Sequence, residues 1–258
     1  MHKLDALNLG SGFSRYFRID VALDRPLLDE VFRVRHEVYC ENLKFEPERP
    51  DRREVDEFDA HSVHCLLRTA REPHESVGCT RIILANPDFP DMPLPFERTC
   101  SDILDRSLID PARLPRNRIA EISRLAVGDR YRRRKGEANT QVGLDATDFA
   151  NGAQSRFPFI PASLLLGAVA MAEYKGIETV FVLTEPRLAT HFARLGVEVT
   201  QIGAPISHRG IRIPSVMRVE EIIRNMRRIL RPLWEIVREE IARGFDAVEK
   251  RGIDQRRS

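Results

Sequence analysis

The chain has 258 residues, 42% hydrophobic and 31% charged, with a formal net charge of +2. That is enough apolar sequence for one large domain or two small ones, and the near-neutral balance excludes a global field that would demand nucleic acid or a membrane as partner. The four cysteines, Cys40, Cys65, Cys79 and Cys100, form no CxxC pair, so a disulfide scaffold is not needed and reduced thiols in a cytoplasmic protein are expected.

The first twenty residues lack the apolar core of a signal peptide, and the most apolar stretch, Ala162 to Ala172, is too short to span a bilayer. Phe17 to Asp24 alternates in its middle and predicts an opening strand. From Leu27 to Tyr39 apolar residues recur at three and four positions, the pattern of an amphipathic helix, with Asp24 placed to cap it and Pro26 suited to its first turn. Glu46 to Asp59 has no apolar period and reads as a loop. Strands are predicted at Ser62–Thr69 and Val77–Leu84, with a proline-rich loop from Asn86 to Pro95. After a short helix, Arg118 to Val127 reads as a buried strand. The segment from 138 to 156 is polar with weak periodicity, suited to a mobile loop or lid. Ser163 to Gly176 predicts a buried helix with a glycine stop, Thr179 to Leu183 a core strand, and Pro186 to Gly196 another helix, followed by a strand in VEVTQIG. Beyond Val219 one apolar helical face runs from Ile222 to Ile241, which Pro232 kinks or restarts. This face can dock on the domain or on a second subunit. The expected organisation is a domain over 1–218 and a helical extension over 219–258. The alternation of strands and helices indicates a mixed α/β sheet with helices on both faces.

Three clusters can carry chemistry. Glu54, Asp56, Glu57 and Asp59 are four carboxylates in six residues, and their mutual repulsion needs cations, a metal or water to offset it. They suit either a solvated loop or a pocket rim that pairs with Arg35, Arg81 or a cationic amine. In the strand Glu121-Ile-Ser123-Arg124, period two puts Glu121 and Ser123 on one face and Arg124 on the other. Charges there are costly unless paired, so a structural salt bridge and a catalytic role are both open. The run Arg130-Tyr-Arg132-Arg133-Arg134-Lys135-Gly136 suits phosphate, nucleic acid or solvent. Only Tyr131 is interleaved with it for base stacking, which disfavours nucleic acid. His61, His64 and Cys65 lack a second ligand pair, so no metal is expected. There is no GxSxG, Walker A or HExxH sequence.

The order of these clusters is more specific than any one of them. Arg35-His-Glu-Val-Tyr39, Phe45, Glu54-x-Asp56-x-x-Asp59, Arg81 and Glu121-x-Ser123-Arg124 resemble the acyl-homoserine-lactone synthase family in order and much of their spacing. VRHEVYCENLKFEPE, EVDEFDAHSVHCLL, EISRLAV followed by YRRRKGE, TEPRLATHFARLGVEVTQIG and HRGIRIPSV look closer still to the acyltransferases associated with the PEP-CTERM/exosortase system, and are also similar to N-acyl amino acid synthases. These motifs cover most of Phe17 to Val219.

The resemblance implies a GNAT-like fold of the autoinducer-synthase type. It also implies transfer of a fatty acyl group from acyl carrier protein, or from acyl-CoA, to an amine such as an amino acid, with no permanently bound cofactor. It assigns Glu121, Ser123 and Arg124 to catalysis, with Glu121 as the base through water. Arg35, Tyr39, Phe45, Glu54, Asp56, Asp59 and Arg81 fall to the substrate site, and Arg132, Arg133 and Arg134 to the phosphopantetheine phosphate or the acidic carrier surface. Backbone amides near Leu125 to Val127 are expected to polarise the thioester. Leu164, Leu165, Val169 and Val180–Leu183 are candidates to line an acyl tunnel, and a homodimer through the C-terminal helix fits. The lactone synthases carry phenylalanine and tryptophan where this chain has Tyr39 and Phe45. S-adenosylmethionine use is therefore the alternative, with a non-catalytic acyl- or carrier-binding module as a third reading.

Overall fold

The computed structural model describes residues 9–132 and 160–257. The segment 138–156, read above as a loop or lid, lies outside them. In chain order the elements are α1 (Leu9–Tyr16), β1 (Phe17–Ala22), α2 (Arg25–Arg35), β2 (Ser62–Thr69), β3 (Ser76–Leu84), α3 (Pro95–Thr99), β4 (Ile119–Val127), α4 (Ile160–Tyr174), β5 (Thr179–Thr184), α5 (Pro186–Arg194), β6 (Thr200–Gln201), β7 (Ile206–Ser207), β8 (Ile211–Arg218), α6 (Val219–Asn225) and α7 (Arg231–Arg257). They build an eight-stranded sheet in the order β1-β2-β3-β4-β5-β8-β6, with β7 also on β8. Every pairing is antiparallel except β4 with β5.

Asp24 caps α2 by accepting from the Leu27 amide at 3.0 Å. The helix does not run on as an α-helix to Tyr39. It widens at Arg35 into a π-helical turn, His36–Asn42, which carries Tyr39 into the core. The glycine stops of α4 and α5 are formed, with Gly176 and Gly196 at φ 68° and 85°.

One core layer lies between the sheet and α4, which is buried from Ile160 to Ala172 because it is apolar on all sides. α7 closes over α4, α1 and β1 with Leu233, Trp234, Val237, Ile241 and Phe245. This apolar face therefore docks on its own domain, and Pro232 opens a new helix within it. Ile229, expected on the same face, is 46% exposed, because a 3₁₀ turn at Arg228–Leu230 breaks the period. A second core, under α2, joins Val31, Val34, Val38 and Tyr39 to Leu66, Cys79 and Ala126. A third gathers Ile83, Phe96, Ile119, Phe181 and Val216 beneath the loop that holds α3. No described helix is long and apolar enough to cross a membrane.

Two elements depart from the sequence reading. VEVTQIG supplies only the two-residue β6. β8, an eight-residue strand central to that half of the sheet, carries Pro214 in its middle, which breaks the period that would announce it.

Candidate active site

β4 is where sheet and site meet. It pairs with β5 only from Ile119 to Ile122, while its pairing with β3 continues to Val127, so the two parallel strands part after Ile122. In the same place β4 bulges. Cys79 and Arg81 of β3 face Ala126 and Ser123, so Thr80 alone opposes both Arg124 and Leu125, and Arg124 takes φ 52°. An extra residue in a strand resets its alternation. Arg124 therefore does not point away from Ser123, as strict period two requires. Its guanidinium reaches Asp56, which Arg81 also holds, and Glu54.

The result is a closed ring of alternating charge. Arg35 donates to Glu54 at 2.5 Å and to Asp59 at 2.6 Å. Arg81 grips Asp56 with two bonds of 2.7 Å and Asp59 with one of 2.5 Å. Arg124 donates to Glu54 and Asp56, each at 3.0 Å. Each carboxylate thus bridges two guanidiniums, and three cations balance three anions. Such pairs hold buried charge only when every member is partnered. Arg35 is fully buried and Asp56, at 22%, is the most open member.

Burial alone would raise the proton affinity of Glu54, but Arg35 and Arg124 outweigh it and hold the carboxyl at about 2. Asp56 and Asp59 are likewise held low against burial, chiefly by Arg81 and Arg35 respectively. The motif also builds its own backbone. Asp56 accepts from the Phe58 amide at 3.0 Å and Asp59 from the Asp56 amide at 2.8 Å, a capping box on the 3₁₀ turn Glu57–His61. The aspartate spacing in a segment read as loop was a sign of that turn.

Glu121 stands apart from the ring. Its carboxylate accepts from the Phe96 amide at 2.8 Å, next to Phe96 and Phe181, whose rings stack 4.4 Å apart. Burial pushes its pKa up to about 7, and the Phe96 amide only partly offsets this. Ser123 Oγ accepts from Arg81 Nε at 2.9 Å, which leaves its own proton free to donate. Tyr39 donates to the Leu125 carbonyl at 3.2 Å, and the Arg124 guanidinium lies 5.3 Å from its ring centre.

Glu121, Ser123, Arg124 and Tyr39 line one cavity between the parted strands. Its apolar side is made by Leu165 of α4, Val182 and Leu183 of β5, Leu188 and Phe192 of α5, and Met217. Of the proposed tunnel residues, Leu165, Val182 and Leu183 reach it, while Leu164, Val169 and Val180 are plain core. Arg35, Arg81 and the three ring carboxylates lie outside the lining, and Phe45 packs on the core beneath α2. Arg132 pairs with Asp129 at 3.2 Å with its side chain 4% exposed. Arg133 and Arg134 lie outside the described residues. Among the described residues no group of His, Cys, Asp and Glu is placed to hold a metal ion.

The cavity also has walls that the residue reading did not single out. His208, Arg209 and Arg212, from the β7–β8 hairpin, line it. HRGIRIPSV carries part of the family resemblance, but it announced no role for these side chains because the strand that presents them is hidden by Pro214. His64, buried against the Phe32 ring, is kept neutral, with burial and Arg35 lowering its pKa to about 3.

An Acetyltransferase (GNAT) domain family matches residues 34–140, the span that holds the ring and the bulged strand. Among solved structures, the CoA-dependent acyl-homoserine lactone synthase BjaI, with MTA, aligns at TM-score 0.55 and 20% identity over 83% of this chain and 89% of its own. The fold is GNAT-like, of the autoinducer-synthase type. The AHL synthase LasI shares it at TM-score 0.53 and 19% identity, over 79% of this chain and 89% of its own. So does FeeM, an N-acyl amino acid synthase from uncultured soil microbes, at 0.52 and 18%, over 81% and 95%. No curated protein matches the chain by sequence. In this GNAT-like fold the opening between β4 and β5 is the natural place for a ligand, since it interrupts the sheet without leaving the core.

Proposed function

We propose that the chain is an acyltransferase that moves a fatty acyl group from a carrier thioester to the amine of an amino acid. The observation that carries this reading is Glu121, a carboxyl near neutrality in the wall of a cavity opened by the bulge of β4. A base poised near the working pH can take a proton from an ammonium nucleophile and still be regenerated.

In this reaction the neutral amine attacks the thioester carbonyl. A C–N bond forms, the C–S bond breaks, and the thiolate leaves and is protonated. Glu121 takes the amine proton through water. Ser123, with Arg81 on its oxygen, donates a hydrogen bond to the acyl oxygen, and amides of the Leu125–Val127 segment stabilise the developing charge. Arg124 carries the ring's charge to the cavity wall, while Glu54, Asp56, Asp59, Arg35 and Arg81 fix its position. Tyr39 orients the Leu125 carbonyl. Within the run Arg132–Arg134, Arg132 is turned in on Asp129, so Arg133 and Arg134 are assigned to the donor's phosphate or to acyl carrier protein, a contact that salt should weaken. Kinship with the PEP-CTERM/exosortase acyltransferases rests on the sequence motifs, and a cytoplasmic site of action on the unpaired cysteines.

The test incubates the full chain with acyl carrier protein or CoA thioesters and an amino-acid mixture. Free thiol is followed colorimetrically and products by mass spectrometry. Thiol release coupled to an N-acyl amino acid supports the proposal. Release of methylthioadenosine from S-adenosylmethionine would replace it with lactone synthesis, and no release with any donor and amine would make the chain a binding module.

A further inference from the structure

The cavity wall is unbalanced in charge. Three guanidiniums line it, those of Arg124, Arg209 and Arg212, against the single carboxyl of Glu121. Their counter-ions stand outside the lining. Glu185 pairs with Arg212 at 2.8 Å. Glu46 pairs with Arg209 and lies 3.7 Å from Arg124, while Glu54 and Asp56 hold Arg124 within the ring. The carboxylates therefore fix the guanidiniums from outside the cavity.

Two of these cations come from one short device. Ile206 and Ser207 pair with Arg212 and Ile211, and the turn between them closes with the His208 amide donating to the Gly210 carbonyl at 2.8 Å. Arg209 at φ 53° and Gly210 at φ 97° reverse the chain. Arg212 is nearly buried, its side chain 6% exposed. Each guanidinium has five donors. Among the described residues Arg209 and Arg212 have one acidic partner apiece, which leaves donors for a ligand.

We infer that the β7–β8 hairpin, through Arg209 and Arg212 with Arg124 beside them, forms a subsite for the carboxylate of the acceptor. The inference rests on the acyltransferase reading and gives it a specificity element. An α-amino acid whose amine is neutral enough to attack carries one net negative charge. A simple amine carries none, and in S-adenosylmethionine the sulfonium cancels the carboxylate. The cationic wall therefore selects the amino acid and opposes the sulfonium. The subsite shares a cavity with Glu121, so a carboxylate bound there keeps its α-amine in the space that the base lines. The donor's phosphate is separated from its reacting carbonyl by the whole pantetheine arm, so a phosphate held in this cavity would carry the thioester away from the base that lines it.

The experiment measures calorimetric binding of N-decanoylglycine and its primary amide, N-decanoylglycinamide, to the full chain. The acid should bind about tenfold or more tightly than the amide, through charge-assisted hydrogen bonds. R209Q and R212Q should each erase most of that preference. E185Q, which frees Arg212 from its counter-ion, should enlarge it and guards against an R212Q chain that fails to fold. Equal affinity for acid and amide, or no measurable binding of the acid, overturns the subsite. So does a result in which R209Q and R212Q weaken CoA and leave N-decanoylglycine unchanged, because the anion bound is then the donor's phosphate. Acid-selective binding without turnover would defeat the acyltransferase reading alone. Turnover of amines with or without a carboxylate at equal rates would defeat the subsite alone.

Discussion

Glu121 lies on β4 and Glu54 in the loop before β2, and their pKa values move in opposite directions. Glu121 is raised from 4.5 to about 7. Its contribution to stability is full below its unfolded pKa and is lost as pH rises through 7, by roughly 3 kcal/mol in all. Urea midpoints between pH 4 and 8 should show this decline, and Glu121→Gln should flatten it. The same substitution should lower turnover by about 10²-fold or more and remove the rise of kcat/KM with pH near 7. Glu54 is lowered from 4.5 to about 2, so its contribution is present above its unfolded pKa and lost as pH falls towards 2. Glu54→Gln should be less stable at pH 7 and lose less on acidification. Asp59→Asn strips one charge from a ring in which Arg35 and Arg81 are buried, and should cost about 3–5 kcal/mol in urea unfolding. Asp56→Asn, at the more open corner, should cost less.

Element by element, the sequence was most legible where the period was unbroken. β1, β2, β4 and β5 stand within a few residues of their apolar patterns, and Asp24, Gly176 and Gly196 mark helix ends by their own chemistry. Elements were misread where one residue changes the period. The bulge at Arg124–Leu125 moves a guanidinium across the sheet, the π turn after Arg35 ends the α-helix short of Tyr39, and Pro214 hides β8. Which acids and arginines belong together was visible in the motif order, but the ring itself was not, because its closure depends on the bulge. The seat of α7 on β1 is a further contact between distant segments. A Cβ on Gly244 would lie 2.4 Å from Val21 Cγ1, and valine has little rotamer freedom to retreat. Gly244→Ala should therefore destabilise by about 1–3 kcal/mol. Val21→Ala in the same chain should recover part of it, read as favourable coupling in a double-mutant cycle.

Across the whole molecule, the expectation of a domain over 1–218 followed by a separate extension makes a specific claim about cooperativity. α7 supplies Leu233, Trp234, Val237, Ile241 and Phe245 to the same core that α4 and the sheet build. Removing it would bare the outer side of α4, whose faces are apolar all round. An element that closes the main core has no stable state apart from it, so the chain should unfold as one unit. The sequence provides its own reporter, since Trp234, its one tryptophan, is 4% exposed. Trp234 fluorescence and far-UV circular dichroism should give superimposable urea transitions, and a chain ending at residue 230 should lose cooperative unfolding. If the fluorescence transition came well before the circular dichroism transition, with the truncated chain still unfolding cooperatively, α7 would be an independent extension and the ring and cleft would belong to a domain that folds without it.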